Sequence, residues 1–328
     1  MVASLKEESH HPHLSSLRIL VTGATGLLGS ALCARLQDRH EVIGWARGVP
    51  EQGSGPVRYE SIDLTQFDAV ADGIRRLRPE VVVHAAAQSD VDLAEADPRA
   101  ARLINSEAPR QIARACGWVG AFLIGISTDY VFDGRNDRPW REEDPTGPVN
   151  AYGCSKLEGE KAIHEEAPGN AVIRVSGLFG LGRQNFGLNA VRSLRAGKPI
   201  QAVDDQVNSP SYIGDVAEGI EKLIELKKAG AVLPCIGDPP RLLFHMTNAG
   251  EGITRYGMAC YLAGLLAVPN TLVQKTTWAA LRRPARRPTS SALDSSRWGA
   301  FSGIPLRPWR EALRFFLDTL PIEEKILP

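Results

Sequence analysis

Short apolar runs alternate with amphipathic segments along the first half of the chain. The runs are rich in Val, Ile, Leu and Ala, as is typical of strands that are buried on both faces. They occupy residues 18–22, 41–46, 81–86, 121–127 and 171–176. Apolar side chains recur at helical spacing over residues 27–36, 67–77, 100–116 and 152–165. Repeated strand-helix units of this kind predict a doubly wound parallel sheet with helices on both faces.

The pattern changes after residue 176. Residues 177–210 are rich in Gly, Asn and Gln, and an amphipathic helix is then predicted over residues 211–228. A strand at 242–247 and helices at 254–266 and 308–320 complete the chain. We predict a flexible tail over residues 1–16 and a sheet domain over 17–176, to which residues 211–234 return. Residues 177–210 and 235–328 would form a smaller lobe over the strand ends, where ligands bind in this architecture.

Composition and charge exclude several classes of function. The chain has 38 basic and 38 acidic residues, so no bulk attraction to nucleic acid or to an anionic membrane is expected. Five cysteines, at positions 33, 116, 154, 235 and 260, lack the spacing of a metal site and predict reduced thiols without bound metal. The longest apolar stretch, residues 258–268, is too short to span a bilayer. A cytoplasmic protein is therefore expected.

Three glycines follow the first predicted strand and lead into the first predicted helix. Gly23 would allow the turn, Gly26 would let main-chain N–H groups approach a pyrophosphate, and Gly29 would permit close helix packing. Thr25, Leu27 and Leu28 belong to the same turn. An ordinary glycine-rich turn is the alternative, but the strand-turn-helix context favours a dinucleotide site. The sheet domain is accordingly predicted to be a Rossmann-type NAD(P)-binding domain.

The end of the second strand bears on the choice of cofactor. An acidic residue at this point usually binds the ribose 2′-hydroxyl of NAD, whereas this strand ends in Ala46 and Arg47. A guanidinium would pair with a 2′-phosphate, so NADP(H) is favoured over NAD(H), although Arg47 is also compatible with a solvated surface position. Asp63, with Leu64, is predicted either to hold the adenine amine or to act as a helix N-cap before Thr65.

Two further positions are candidates for the cofactor site. Ala85, Ala86 and Ala87 end a buried strand and leave room for a dinucleotide ribose, although small side chains also serve packing. Asn105 lies within a helical segment and either bonds main chain near the site or is solvated.

Tyr152 and Lys156 are the strongest candidates for chemistry. Residues four apart share one face of a helix, so the ammonium is expected to lie beside the phenol and favour its ionised form. This spacing alone occurs on many helices. Thr128 strengthens the case because it ends a predicted parallel strand, at the sheet edge that Tyr152 can face.

Together these segments resemble the extended short-chain dehydrogenases/reductases, and within them the dTDP-4-dehydrorhamnose reductases. The resemblance spans residues 18 to 320. Its most specific parts are residues 127–134, 150–156, 85–87 with 91–95, 205–206 and 286–294. It implies hydride transfer from a nicotinamide to the C4 ketone of a nucleotide-linked 4-keto-6-deoxy sugar. Tyr152 would donate the proton, Lys156 would tune the phenol and bind the nicotinamide ribose, and Thr128 would bind the ketone oxygen.

The resemblance also implies the substrate contacts. Asp129 and Tyr130 would touch sugar hydroxyls or else hold their loop together. Asn185, Phe186 and Gln206 occupy family positions for sugar or base contacts, and Phe186 either stacks on a base or packs in the core. Arg287 is the candidate cation for a nucleotide diphosphate, with a solvated surface role as its alternative. A second copy of the chain, as a homodimer, is an open prediction.

The sequence departs from the reductase pattern at Gly177. The rhamnose-pathway reductases commonly carry a bulky aromatic there, so the identity of the hexose stays open. The regulatory β subunits of methionine adenosyltransferase share the scaffold, which makes a non-catalytic NADP-binding partner protein the alternative. A 4,6-dehydratase is disfavoured because Tyr130 stands where that class has a second acid.

Overall fold

The computed structural model describes residues 16–48 and 55–321. The predicted tail over residues 1–16 therefore lies outside the described residues, apart from residue 16. The strands are β1 (Arg18–Thr22), β2 (Glu41–Ala46), β3 (Arg58–Ser61), β4 (Val81–His84), β5 (Phe122–Thr128), β6 (Ala171–Val175), β7 (Leu178–Phe179), β8 (Ile200–Val203), β9 (Val207–Asn208), β10 (Ser211–Tyr212), β11 (Leu242–His245), β12 (Ile253–Thr254) and β13 (Val273–Thr276).

The helices alternate with these strands. They are α1 (Leu27–Leu36), α2 (Phe67–Leu77), α3 (Val91–Ala96), α4 (Pro98–Arg102), α5 (Ala108–Val119), α6 (Ala151–Glu166), α7 (Phe186–Arg195), α8 (Ile213–Lys228), α9 (Arg255–Leu265), α10 (Ser296–Ser302) and α11 (Trp309–Thr319). No helix among the described residues is both long enough and apolar enough to cross a bilayer.

Seven strands form one parallel sheet in the order β11-β6-β5-β4-β1-β2-β3. The order reverses between β1 and β4, which leaves a crevice at the carboxyl ends of these two strands. Helices α1 and α8 cover one face, with Leu32 and Ile220 in their shared core. The other face is covered by α2, α5 and α6. The predicted doubly wound, Rossmann-type sheet is confirmed.

The helix predicted over residues 100–116 is not continuous. A π-helical turn, Leu103–Glu107, separates α4 from α5. Pro109 has no N–H to donate to the carbonyl of Asn105, and its ring disfavours a regular α-helical turn at this point. The turn directs the Asn105 side chain inward, where it is only 1% exposed. The main chain of α6 passes close by, since a methyl group on Gly159 would lie 2.1 Å from the Asn105 carbonyl oxygen.

A separate apolar core unites the lobe, built from α7, α9 and α11 around Phe179, Leu262 and Phe316. The predicted range of the lobe does not hold for β11, which pairs with β6 as an edge strand of the main sheet. It belongs there because Phe244 is fully buried and packs against Trp298 of α10. Helix α8 returns to the sheet as expected, where Glu221 pairs with Arg35 of α1 at 2.6 Å.

Candidate active site

A cavity of about 710 Å³ lies where the lobe covers the carboxyl edge of the sheet. It extends from the end of β2, past the turn between β1 and α1, to the start of α9. Many of the predicted site residues line it: Gly23, Thr25, Gly26, Leu27, Leu28, Arg47, Asp63, Leu64, Ala85, Ala86, Ala87, Tyr152, Lys156, Asn185 and Phe186. The volume is within the range of small-molecule and cofactor sites.

The turn between β1 and α1 requires its glycines. Gly23 has φ +67°, and a methyl group there would lie 2.7 Å from the main chain of Ala86. A methyl group on Gly29 would lie 2.1 Å from the Gly23 carbonyl oxygen. Gly26 begins α1 without a side-chain cap, and the first turn of α1 carries no acidic residue. The N–H groups in the first turn of α1 therefore fit a phosphate group, as a dinucleotide-binding turn requires.

Arg47 and Asp63 lie at the end of the cavity formed by β2. The Arg47 side chain has no carboxylate within 4 Å among the residues that the structure describes. Asp63 accepts hydrogen bonds from the Thr65 N–H at 2.9 Å and the Thr65 hydroxyl at 2.8 Å. These bonds hold the pKa of Asp63 below its usual value. Asp63 thus stabilises the turn before α2 while facing the cavity, but the cap residue of α2 is Gln66 rather than Asp63.

Asn105 lies behind the cavity wall and supports it. Its side-chain oxygen accepts from the Gln88 N–H at 2.8 Å, and its amide donates to the Gln88 carbonyl at 3.1 Å and to Ser155 at 3.0 Å. The residue does not line the cavity. Asn105 therefore forms hydrogen bonds to main chain near the site, which is one of its two predicted roles. These bonds fix the segment that follows Ala87.

Tyr152 and Thr128 meet where the first turn of α6 faces the end of β5. The Thr128 hydroxyl lies within hydrogen-bonding reach of the Tyr152 phenol, although its own proton is directed to the Asp129 carboxylate at 3.1 Å. Asn150 caps α6 by accepting from the Gly153 N–H at 2.8 Å, which fixes the direction of this turn. Gly153 permits the approach, because a methyl group there would lie 2.2 Å from the Tyr130 carbonyl oxygen.

Lys156 does not act on the phenol in the way the spacing predicted. Its Nζ donates to the Ile126 carbonyl at 2.6 Å, and burial lowers its pKa to about 8. The pKa of Tyr152 is raised rather than lowered: burial raises it most, and the Thr128 hydrogen bond opposes this in part. The predicted stabilisation of the ionised form by Lys156 is therefore not seen in this structure, since removal from water outweighs a neighbouring charge that points elsewhere. Tyr152 is a protonated phenol near neutrality.

A buried ion pair supports the residue before Thr128. Glu160 receives two hydrogen bonds from Arg174, at 2.8 and 2.7 Å, and one from the Ser127 hydroxyl. Burial opposes ionisation of Glu160, but the Arg174 guanidinium and the hydroxyl hold its pKa below the usual value. Because Glu160 lies one turn after Lys156, the pair ties α6 to β5 and β6. No local pattern in the sequence indicates this pair, whose members are 14 residues apart on different elements.

Asp129 is buried and Tyr130 is half-buried next to the cavity, and neither lies on its wall. The Asp129 carboxylate accepts from Ser176 at 2.8 Å and from Ser291 at 2.6 Å, and burial raises its pKa to about 6. It holds three segments together, which was its alternative role. The Tyr130 ring lies edge-on to Tyr152, with the centroids 5.9 Å apart.

Arg287 and Gln206 also lie outside the cavity lining. The Arg287 guanidinium is 8% exposed, pairs with Asp92 at 3.2 Å and lies over the Trp278 ring at 4.5 Å. Contact between Arg287 and a diphosphate would require an exchange of this partner, so its substrate role stays a prediction. Gln206 lies between β8 and β9, and its sugar contact likewise stays a prediction.

The lobe presents other arginines to the cavity. Arg255, at the start of α9, lies 5.4 Å from the centroid of the Phe186 ring, and Arg183 donates to the Thr25 carbonyl at 2.9 Å. Neither has a carboxylate within 4 Å in the described part of the chain. We had not singled out Arg255. Its only sequence signal is a basic residue directly after Thr254, which caps the helix.

Gly177 opens the cavity where the reductase pattern has an aromatic side chain. It is exposed to the cavity, with φ +50°, and a methyl group there would lie 3.1 Å from the Asn208 side-chain oxygen. The left-handed backbone and the neighbouring segment therefore leave no room for an aromatic side chain here, and Gly177 contributes only main chain to the cavity.

A family model described as the RmlD substrate binding domain matches residues 17–322. The chain belongs to this family. The match covers both the sheet and the lobe, so it includes the whole cavity.

Individual relatives agree with the family. A dTDP-4-dehydrorhamnose reductase from Streptomyces griseus is 40% identical over 297 residues, which cover 90% of this chain and 91% of the relative. The methionine adenosyltransferase 2 subunit beta of Bos taurus is 35% identical over 293 residues, covering 87% and 82%. Both resemblances seen in the sequence are confirmed, and they include a catalytic and a regulatory class of protein.

A solved structure within the family has the same fold. A dTDP-4-dehydrorhamnose reductase from Bacillus anthracis, in complex with NADP, aligns with a TM-score of 0.80 at 27% identity, covering 93% of this chain and all of that one.

Proposed function

We propose that this protein is an NADP(H)-dependent reductase of a nucleotide-linked 4-keto-6-deoxy sugar, of the dTDP-4-dehydrorhamnose reductase type. The observation that carries the proposal is the position of Tyr152, which lines the same cavity as the glycine turn and lies beside the Thr128 hydroxyl. The reductase relative at 40% identity and the NADP complex of the Bacillus anthracis enzyme support it.

A bound nicotinamide would supply the hydride for the C4 ketone. Tyr152 donates its proton to the ketone oxygen as negative charge develops there, and burial keeps this phenol protonated near neutrality. The Thr128 hydroxyl lies within reach of the phenol and, on turning from Asp129, would offer a second donor to the same oxygen. The Lys156 ammonium, fixed on the Ile126 carbonyl, lines the cavity with Tyr152 and would bind the nicotinamide ribose.

Arg47 supports NADP(H) over NAD(H). It faces the cavity at the end of β2 with no carboxylate within 4 Å among the described residues, and this position fits pairing with a 2′-phosphate. Asp63 and Leu64 would face the adenine, and Ala85, Ala86 and Ala87 would leave room for the ribose.

Arg255 is the cation best placed for the diphosphate of the substrate. It lines the cavity near Phe186, on the side of the lobe, whereas Arg287 is already paired with Asp92. Phe186, partly exposed, would stack on the base, and Asn185 holds the start of α7.

The decisive assay mixes the protein with NADPH and a freshly made dTDP-4-keto-6-deoxyhexose and follows the loss of NADPH absorbance. Tyr152→Phe should lower the turnover rate by roughly 10³-fold, as expected for loss of a general acid. Tyr261→Phe is the matched control, because the Tyr261 hydroxyl has no hydrogen-bond partner among the described residues. It should leave turnover unchanged.

The same assay separates the alternative function. If NADP binds but no keto sugar is reduced, the protein is a non-catalytic cofactor-binding partner, as the 35% identity to the methionine adenosyltransferase β subunit suggests. A cytoplasmic location and a homodimer stay predictions that cell fractionation and light scattering would test.

A further inference from the structure

Arg183 makes a contact that crosses from the lobe to the cofactor turn. It lies on the loop between β7 and α7, and its guanidinium Nε donates to the Thr25 carbonyl at 2.9 Å. The two residues are 158 positions apart. The loop itself lies on the first turn of α1, since a methyl group on Gly182 would be 3.7 Å from the Ser30 hydroxyl.

The loop that carries Arg183 is held by Asn185. The Asn185 amide donates to the carbonyls of Gly180 at 2.8 Å and Arg183 at 2.9 Å, while its side-chain oxygen accepts from the Leu188 N–H at 3.1 Å. Gly182 has φ +115°, a conformation that other residues rarely adopt. Asn185 thus acts as a positioning residue for Arg183, in addition to capping α7.

The charge of Arg183 is not neutralised by the protein. Its side chain is exposed to the cavity, and no carboxylate lies within 4 Å of it among residues 16–48 and 55–321. The Nε bond to Thr25 directs the guanidinium to the glycine turn, where the uncapped N-terminus of α1 already favours an anion. The cavity's other two arginines, Arg47 and Arg255, lie near β2 and α9 instead.

We infer that Arg183 binds the pyrophosphate of the dinucleotide and so joins the lobe to the cofactor half when cofactor is bound. The inference rests on the proposed function only in requiring that a dinucleotide binds. It assigns Arg183 to a group that NADPH and NADH share, whereas Arg47 faces a group that only NADPH carries.

The test measures the affinity of the intact protein for NADPH and NADH by nucleotide fluorescence, without any sugar. Arg183→Ala should weaken both cofactors by a similar factor, about 10-fold or more, as expected for loss of a charge-assisted hydrogen bond. Arg183→Lys should recover part of the affinity. The rise in melting temperature on adding NADP should shrink in Arg183→Ala. Arg47→Ala should weaken NADPH much more than NADH.

Arg99→Ala is the matched control, since Arg99 is an exposed arginine on α4 that does not line the cavity. Unchanged affinity for both cofactors in Arg183→Ala would overturn the inference and leave the proposed function intact. Loss of NADPH affinity alone would also overturn it, by placing Arg183 at the 2′-phosphate. Failure of the unmodified protein to bind either dinucleotide would overturn the inference and the proposed function together.

Discussion

The cavity has two walls made of different groups. The sheet wall consists of the glycine turn, Ala85–Ala87 and the start of α6, and it presents main chain, small side chains and the phenol of Tyr152. The lobe wall consists of Arg183, Asn185, Phe186 and Arg255, whose long side chains reach into the cavity. The sheet wall is fixed by backbone contacts that leave no room for a methyl group. The lobe wall is held by side-chain hydrogen bonds and carries charge without carboxylate partners in the described structure.

The difference separates two kinds of recognition. Main-chain groups of the sheet wall suit the phosphates and ribose that all dinucleotides share, and a substitution there should affect folding together with every ligand. Side chains of the lobe wall each face one part of a ligand, so a substitution there should affect one binding step. Four measurements would break or sharpen this contrast.

The support beneath the sheet wall should be the most sensitive position. Glu160→Gln leaves the Arg174 guanidinium, 1% exposed, without its buried counter-charge, and should cost about 3–5 kcal/mol of unfolding free energy. Glu158→Gln on the same helix is the control, because the exposed pair with Arg102 should contribute less than about 1 kcal/mol. Denaturant titration measures both. Equal losses in the two variants would show that the buried pair does not hold the sheet wall.

The glycine turn should be nearly as sensitive. Gly29→Ala places a methyl group 2.1 Å from the Gly23 carbonyl oxygen, and should cost about 3 kcal/mol or more along with the affinity for both dinucleotides. Gly264→Ala in α9 is the control, since its methyl group would enter open space and favour the helix. A Gly29→Ala protein with unchanged stability and cofactor affinity would contradict the description of this wall as rigid.

Burial of Lys156 should give the sheet wall a distinctive dependence on pH. Its pKa is lowered from 10.5 to about 8, so between these values the unfolded state binds the proton and the folded state does not. Protonated Lys156 therefore lowers the unfolding free energy by a constant amount below pH 8. Above pH 8 the unfolding free energy rises with pH. From pH 8 to 9, the unfolding free energy of the unmodified protein should gain on that of Lys156→Met by about 1 kcal/mol. Parallel curves for the two proteins would refute the lowered pKa.

A single side chain of the lobe wall should have the smallest and most selective effect. Arg255→Ala should raise the KM for the nucleotide sugar by roughly 10-fold, as expected for loss of a charge-assisted contact, while NADPH affinity and stability stay unchanged. Arg314→Ala on α11, outside the cavity, should change neither the KM for the nucleotide sugar nor the affinity for NADPH. If Arg287→Ala raised the KM and Arg255→Ala did not, the diphosphate would bind at the position that sequence resemblance favoured.

The contrast between the walls also explains what could be predicted from the sequence. The parallel strands and the glycine turn follow from local patterns, because main-chain geometry depends on residues that are neighbours in sequence. The sequence did not reveal the partners of Arg287 and Arg255, since Asp92 and Phe186 come from distant segments. The raised pKa of Tyr152 was missed for a related reason. Spacing on a helix fixes the face of a side chain but not its exposure to water or the direction of the neighbouring ammonium.

Two errors in the predicted elements arise from packing as well. The sequence predicts a helix that continues through residue 105, because the apolar period persists there. In the structure, Pro109 disrupts the hydrogen-bond ladder of this helix. Residues 242–245 were assigned to the lobe by their position late in the chain, whereas pairing with β6 places them in the sheet.

The return of β11 to the sheet has a consequence for engineering. After β6 the chain enters the lobe, comes back as α8 and β11, leaves again for α9 and returns once more as α10 before ending in α11. A chimaera that exchanged one C-terminal block with a relative would therefore replace an edge strand and its supporting helix along with the ligand-binding surface. Transplanting a new sugar preference requires grafting the interleaved lobe segments separately, with β11 and α10 retained from the host.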